Sequence, residues 1–437
     1  MNAGPRLHAG LPEPADLRVE RIGGEGDGIG RLPDGTPAYV PRVLPGERVL
    51  ARPVAKRGEG WLACAEVIRE PSPQRAVPPC GYFGACGGCA LQHWQEAPYR
   101  AWKADLLSRA LRSAGLEVPE PIPFHPGMPG ERRRLDFAVR RTAAGLCFGL
   151  HAPRSAEVVD LADCLILHPR LMELIGPLRA LLSGLRAIRR EGSVVMNLLD
   201  AGPDLLLRVD AEPGVADRTA LAALARAHAL PRVSVAVGAA PPETVCQLQP
   251  VWTNLSGVQV SPPPGAFLQA TADGERAMVE AVLSALPARI TGKTRVAELY
   301  AGCGTLTFAL AARVRVTAFE GNAAAFAALR RGISQAGLGG RIEAFQRDLR
   351  RQPLQARELS GHAAVVLDPP HAGAPTQMTQ IAASGLATVI YVSCNPGTLS
   401  RDARALHASG YKLAAAVAID QFLWSPRLES VSVFRRG

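Results

Sequence analysis

Two groups near the C-terminus carry the chemistry this sequence can do. They are Cys394, in Val392-Ser393-Cys394-Asn395-Pro396-Gly397-Thr398, and Glu429, in Leu428-Glu429-Ser430. A thiolate is a soft covalent nucleophile and a carboxylate is a general base. An electron-poor ring such as a pyrimidine needs both, the first for addition and the second for proton removal. A lone cysteine is more often a small core residue, so its setting decides. Thr388 to Val392 is apolar and β-branched and reads as a buried strand, and Asn395-Pro396-Gly397 reads as a turn. Cys394 is therefore expected at the C-terminal end of a strand, where open α/β sheets keep their reactive residues.

The elements that must position this pair lie upstream. Val296-Ala297-Glu298-Leu299-Tyr300-Ala301-Gly302-Cys303-Gly304-Thr305-Leu306-Thr307 is an apolar strand running into a glycine turn, with helix-like residues from Phe308 to Ala312. Glycines there let the backbone approach a ligand at a helix N-terminus. Val314 to Phe319 reads as a second strand ending in Glu320, where an acidic residue takes the ribose hydroxyls of an adenosine cofactor. Ala363 to Leu367 reads as a third, ending in Asp368-Pro369-Pro370-His371-Ala372-Gly373. The two prolines bar Asp368 from continuing a strand or a helix, so its carboxylate is expected on a stiff loop at the rim of the site. A G-x-G alone is weak, but strand, glycine turn, acid-ended strand, Asp-Pro-Pro and Ser-Cys-Asn-Pro in this order form a strong signal.

On these segments the chain resembles, over nearly its whole length, the class I S-adenosylmethionine-dependent RNA uracil-5 methyltransferases. Ser-Cys-Asn-Pro and Leu-Glu-Ser are the most specific elements of the resemblance. It implies that Cys394 adds to carbon 6 of uracil and makes carbon 5 nucleophilic toward the sulfonium methyl. Glu429 then removes the proton left on carbon 5, and Cys394 is eliminated. It further implies that Gln269, Tyr300, Gly302, Thr305, Glu320 and Asp368 hold the cofactor or base. Gln269 lies in Ala266-Phe267-Leu268-Gln269-Ala270-Thr271, matching the family's Phe-x-Gln segment, and Phe267 is placed to stack on the target base or to be core. His371 departs from the arginine that many relatives carry.

A second constellation is Cys80-Gly81-Tyr82-Phe83-Gly84-Ala85-Cys86-Gly87-Gly88-Cys89, with Cys164 in Leu161-Ala162-Asp163-Cys164. The spacing C-x5-C-x2-C with interleaved glycines describes a loop round a metal, and thiolates there hold zinc or an iron-sulfur cluster equally well. Disulfides are the bland reading, but nothing else indicates an oxidising compartment. The resemblance implies a 4Fe-4S cluster on Cys80, Cys86, Cys89 and Cys164 that staples the central region and shapes the RNA surface. Cys64, Cys147, Cys246 and Cys303 lack such spacing and read as buried thiols.

The composition suits an RNA partner. Against 39 Asp and Glu stand 49 Lys and Arg, a net charge of +10, which favours a polyanion. The 437 residues suffice for two or three domains. No signal-like N-terminus and no long apolar stretch is evident, so a soluble, cytoplasmic protein is expected, with no membrane, no obligate protein partner and a monomer as the default.

Residues 1–15 read as a disordered tail. Residues 16–75 read as short strands between glycine turns, a small barrel that resembles a TRAM domain of the oligonucleotide-binding type, with Arg18, Arg21, Arg31, Arg42, Arg52, Lys56 and Arg57 as charge for an RNA backbone. Residues 76–264 read as a central α+β domain carrying the cysteine cluster, with a helix at 94–115 that in the family packs on the catalytic domain. Arg132-Arg133-Arg134 opens a strand there, either gripping phosphates or forming a solvated run. Residues 265–437 read as a Rossmann-like α/β methyltransferase domain with a parallel doubly wound sheet.

Large structured RNA is the expected substrate, since a base must leave its stack to be methylated, which is least costly in a loop. The combination of barrel and cysteine loop is most similar to enzymes acting on 23S ribosomal RNA; transfer RNA is the alternative. Two other classes compete. A radical S-adenosylmethionine enzyme is disfavoured by its usual C-x3-C-x2-C loop. A noncatalytic RNA-binding or ribosome-assembly factor is disfavoured because it has no need for Cys394 and Glu429.

Overall fold

Apolar runs buried on both faces, at 364–367 and 388–392, become central strands of the sheet that carries the site, as expected where helices cover both sides. In the computed structural model, which describes residues 11–436, this sheet comprises β1 (Phe124–His125), β2 (Arg295–Leu299), β3 (Arg315–Glu320), β4 (Ile342–Gln346), β5 (Ala364–Leu367), β6 (Thr388–Ser393), β7 (Tyr411–Ile419) and β8 (Glu429–Arg436). Its order is β4-β3-β2-β5-β6-β8-β7-β1. Strands β4, β3, β2, β5 and β6 are parallel, and the chain reverses direction of travel between β2 and β5. That reversal is a topological switch point, where the carboxyl ends of such sheets open into a crevice. The all-parallel expectation is corrected at the C-terminus. There β7 and β8 form an antiparallel hairpin, and β8 pairs antiparallel with β6. A short connection between consecutive strands can only be made that way.

Helices α1 (Glu96–Ser113), α2 (Ala272–Ser284), α3 (Thr305–Ala311), α4 (Ala323–Gln335), α5 (Pro375–Ser384) and α6 (Pro396–Ala408) accompany these strands. Met278 and Val282 of α2, Phe308 and Leu310 of α3, and Leu329 and Ile333 of α4 pack on Val296, Val316, Val366, Ile390 and Val431 of the sheet. Each such aliphatic side chain contributes roughly 1.5–3 kcal/mol on burial, which fixes the strand ends that bear the site.

The segment from Asn395 was expected to be a turn and instead starts α6. Asn395 is the N-cap, its Oδ1 accepting from Gly397 N (3.0 Å) and Thr398 N (3.4 Å), and Pro396 occupies the first helical position. Asn-Pro is a turn signal that doubles as a helix start, because proline's missing N–H is one the first turn leaves unpaired anyway.

By its contacts the described chain divides into two compact units. One runs up to Trp102 and includes Trp424–Arg427; the other holds Lys103–Leu423 and the residues from Leu428. In the first unit, strands at 15–18, 21–22, 28–31, 37–40, 48–57 and 60–70 form a six-stranded sheet around Leu17, Val40, Val49, Ala51 and Trp61. Cys64 is exposed on the last of these strands rather than buried as expected, because alternation along the strand gives Ala63 the inward position. The fully buried Glu47 ties the following segment down: its carboxylate accepts from Leu44 N, Ser72 N and the Arg75 guanidinium. Burial works against that charge, but Arg75 and the two amides prevail and hold the carboxyl below its usual range. The expectation of a disordered tail falls largely on residues 1–10, which lie outside the described residues; Leu11–Pro14 have no helix or strand.

The second unit also contains a seven-stranded, mainly antiparallel sheet built from residues between Arg134 and Gln247. Arg232 and Asp204 pair through two 2.8 Å bonds inside it. Lys103 of α1 is fully buried and bonds to Asp420 Oδ1 at 2.7 Å and to the Phe422 carbonyl at 3.3 Å. Among the described residues no helix is long and apolar enough to cross a membrane.

Candidate active site

The sheet register joins the two groups that the sequence singled out. β6 ends at Ser393 and β8 begins at Glu429, and the antiparallel pairing matches Ser393 with Ser430. The next residue on one strand is Cys394 and the preceding one on the other is Glu429, so both stand at the same end of the sheet. Ser430 Oγ donates to the Ser393 carbonyl at 3.2 Å and fastens this end. Cys394 is partly exposed, two residues before the first turn of α6, where the helix dipole favours negative charge. The adjoining Asp-Pro-Pro loop is clamped to the same helix. Asn395 Nδ2 and Thr398 Oγ1 donate to the His371 carbonyl, while Ala374 N and Tyr391 Oη donate to Asp402 Oδ2 at 2.7 Å. His371 itself is exposed, its ring Nε2 3.4 Å from Asn395 Nδ2.

Asp368 leaves β5 at the switch point and accepts from Gln269 Nε2 at 3.2 Å. Gln421 Nε2 in turn donates to Gln269 Oε1 at 3.0 Å. Glu429 is 3% exposed, and its Oε1 has no hydrogen-bond partner. Burial raises the Asp368 carboxyl to about 6, against the opposing bond from Gln269. Burial and the Asp368 charge hold Glu429 well above the usual carboxylate range. Two carboxyls whose charges oppose each other hold a proton readily, the condition under which one can act as a base once the local charge changes.

The glycine turn joins β2 to α3. Tyr300, Gly302 and Gly304 all have positive φ, of 65°, 57° and 110°. Gly304 is required, since a Cβ there would lie 2.4 Å from the Phe308 ring. A positive φ at a tyrosine is rare and accords with a functional constraint on Tyr300. Glu320 at the end of β3 accepts from Gly302 N (2.7 Å) and Asn322 N (2.6 Å), so it shapes the glycine turn and keeps one lone pair on each oxygen for a ligand hydroxyl. Burial, with Asp402 and Asp348, pushes the Tyr300 hydroxyl up to about 12. Thr305 opens α3 and is half-buried.

Sequence reasoning missed Glu298. It is 2% exposed within β2, its Oε2 has no partner, and burial and the charges of Asp368 and Glu320 push it up to about 8. The one signal was a charge inside an otherwise apolar strand. The Arg132-Arg133-Arg134 run is not a solvated face, for all three are half-buried. Arg133 bolts the site segment, donating to the Gln269 carbonyl (3.1 Å) and to Glu275 (2.6 Å). Arg134 lies 5.1 Å from the ring of Phe267, which is 68% exposed and so is not a core residue.

Cys80, Cys86 and Cys89 are half-buried in the first unit, and Cys164 is half-buried in the second. Gly88 N donates to Cys86 Sγ at 3.4 Å, and Gln92 Oε1 takes the Cys80 N–H. Burial and the nearby Cys80 push the Cys86 thiol up. Thiolates suit zinc and an iron-sulfur cluster alike. Among the described residues, however, no three Cys, His, Asp or Glu side chains are gathered to hold a metal ion.

A family model of tRNA (uracil-5-)-methyltransferases matches residues 342–436. The chain is 40% identical to an uncharacterized RNA methyltransferase of Caulobacter vibrioides, over 96% of this chain and 100% of that protein. It is 34% identical to the 23S rRNA (uracil(1939)-C(5))-methyltransferase RlmD of Chromohalobacter salexigens, over 96% of this chain and 89% of the relative. Its fold matches the Pyrococcus abyssi tRNA (uracil-54, C5)-methyltransferase, solved with S-adenosyl-L-homocysteine, at a TM-score of 0.70 and 21% identity, covering 96% and 100% of the two chains. The fold is thus the mixed α/β fold of an RNA methyltransferase.

Proposed function

From the premise that the chain belongs to the RNA uracil-5-methyltransferase family, we propose that it methylates carbon 5 of a uridine in 23S ribosomal RNA, with Cys394 as nucleophile and Glu429 as base. The observation that carries this reading is the β6–β8 register, which sets a partly exposed cysteine and a buried carboxylate at one end of the sheet. S-adenosylmethionine, when bound, supplies an electrophilic methyl group. Gln269, Tyr300, Gly302, Thr305, Glu320 and Asp368 are the residues proposed to hold it or the base, in keeping with their arrangement round the switch point.

In the proposed mechanism the Cys394 thiolate forms a bond to carbon 6, and the ring's electron pair moves so that carbon 5 can take the methyl group, whose bond to sulfur would break with its electron pair left on a neutral thioether. Glu429 takes the proton from carbon 5, and the returning pair expels Cys394 and restores the ring. Phe267 is proposed as a stacking surface for an unpaired base, an aromatic face being sequence-tolerant. The first unit is proposed to act as the TRAM-type RNA-binding barrel. The thiolates of Cys80, Cys86, Cys89 and Cys164 are proposed as cluster ligands with a structural role. That part fails if protein purified without oxygen holds zinc, or if Cys86→Ser keeps its iron.

Replacing the carbon 5 proton by fluorine blocks the last step and traps the adduct. Wild type mixed with fluorouracil-substituted ribosomal RNA and S-adenosylmethionine should give a denaturation-resistant complex, and Cys394→Ala none. The family model's name and the Pyrococcus fold support transfer RNA as a second reading. A complex with transfer RNA alone would select that substrate and keep the chemistry. No complex with either RNA would overturn the mechanism.

A further inference from the structure

We propose that Gln421 is a positioning residue for methyl transfer, because it determines which end of the Gln269 side-chain amide meets Asp368. The inference rests on the functional reading above and goes beyond it. Oxygen and nitrogen of a side-chain amide are nearly interchangeable in shape, so an amide next to a carboxylate can face it with a donor or with a lone pair. Here three consecutive hydrogen bonds remove that choice. Thr271 donates its backbone N–H to Gln421 Oε1 at 3.3 Å. A backbone N–H can only donate, which turns Gln421 Nε2 toward Gln269 Oε1, at 3.0 Å. Gln269 is thereby committed to aim Nε2 at Asp368 Oδ2, at 3.2 Å.

The relay is enclosed. Gln421, Gln269 and Thr271 are 2%, 5% and 5% exposed. Thr271 is itself fixed as the N-cap of α2, its Oγ1 accepting from Gly274 N at 3.0 Å. The fold reserves space for the Gln421 side chain: a Cβ on Gly274 would lie 2.3 Å from Gln421 Cγ. Without Gln421 the Gln269 amide can rotate, and its oxygen then opposes the Asp368 carboxylate instead of donating to it. The donated bond favours the ionised form of Asp368, so its loss favours the protonated form.

The test uses the full-length protein, calorimetric binding of S-adenosylmethionine across mildly acid to mildly alkaline pH, and a double-mutant cycle. Gln421→Met keeps length and shape without polar atoms. It should weaken binding about ten-fold, the equivalent of about one lost hydrogen bond, and move the acid limb of binding to higher pH. Asn at 368 can pair with either end of the Gln269 amide, so Gln421→Met should cost far less in the Asp368→Asn background. An equal cost in both backgrounds, or an unmoved acid limb with only a lower melting temperature, would mean that Gln421 is merely structural and overturns the inference. Should Gln421→Met not fold, Gln421→Glu repeats the test. Its protonated carboxyl can donate to Gln269 and its carboxylate cannot, so its binding defect should deepen as pH rises, and a pH-independent defect overturns the inference. Wild type that neither binds S-adenosylmethionine nor forms the RNA adduct would instead remove the functional reading.

Discussion

In the proposed mechanism Cys394 and Glu429 divide the reaction between attack and release, so substitutions at the two should fail differently. Glu429→Gln keeps the shape of a buried side chain but cannot take a proton. With ordinary uracil RNA and S-adenosylmethionine it should accumulate a covalent, methylated adduct that wild type does not, and a gel shift checks this. Normal turnover by the variant would show that another group is the base. Because burial and Asp368 hold Glu429 above the usual carboxylate range, wild-type methylation should fall as pH drops and the base becomes protonated. Glu298 affects stability instead. Its folded-state value of about 8 lies above its ordinary 4.5, so between those values the folded state binds more protons than the unfolded one. Its stabilising contribution is then fully present below about 4.5 and is lost as pH rises through about 8. Glu298→Gln does not titrate, so its melting temperature should gain on wild type progressively from pH 5 to 8; a constant gap would refute the assignment. Cys394 and Glu429 were legible because the segments round them are specific, whereas Glu298 was hidden by its apolar neighbours.

At the scale of elements, strands were legible where apolar runs are bounded by glycine or proline, as at β2, β5 and β6. The start of α6 was not, because Asn-Pro-Gly satisfies the rules for a turn and for a capped helix alike, and only the following thirteen helical residues decide. The Asn395 cap has a measurable weight. Asn395→Ala removes the acceptor for Gly397 N and Thr398 N and also the donor to the His371 carbonyl. It should cost about 1 kcal/mol of stability. It should also slow adduct formation by more than that loss explains, since it frees the loop on either side of Cys394; thermal unfolding beside adduct kinetics separates the two effects. The hairpin of β7 and β8 is the other element that sequence patterning left open. Alternation identifies a strand but not its direction, which was set by the short connection and the pairing of Ser393 with Ser430.

At the scale of the molecule, the charge of +10 makes an ionic-strength prediction. RNA affinity should fall linearly on a log–log plot against salt, with a slope of about −0.7 for each phosphate contacted on a single strand. A flat plot would exclude phosphate contact as the source of affinity. Several arginines expected to face RNA already pair with carboxylates, as Arg18 does with Glu70, Arg31 with Glu20 and Arg52 with Glu66. Exposed pairs of this kind are worth little, so phosphates can replace them. The sequence by itself determined the glycine turn and the α/β class and singled out Cys394 and Glu429 as candidates, because each is written in contiguous residues whose types limit their local geometry. Only the tertiary structure decided that Glu429 stands at the end of the sheet where Cys394 does, that the charge of Asp368 opposes its ionisation, that Arg133 serves the interior, and that Thr271, Gln421 and Gln269 are joined in one hydrogen-bonded relay. These depend on contacts between residues far apart in the chain, and no local pattern encodes which distant strand end or amide will be the neighbour.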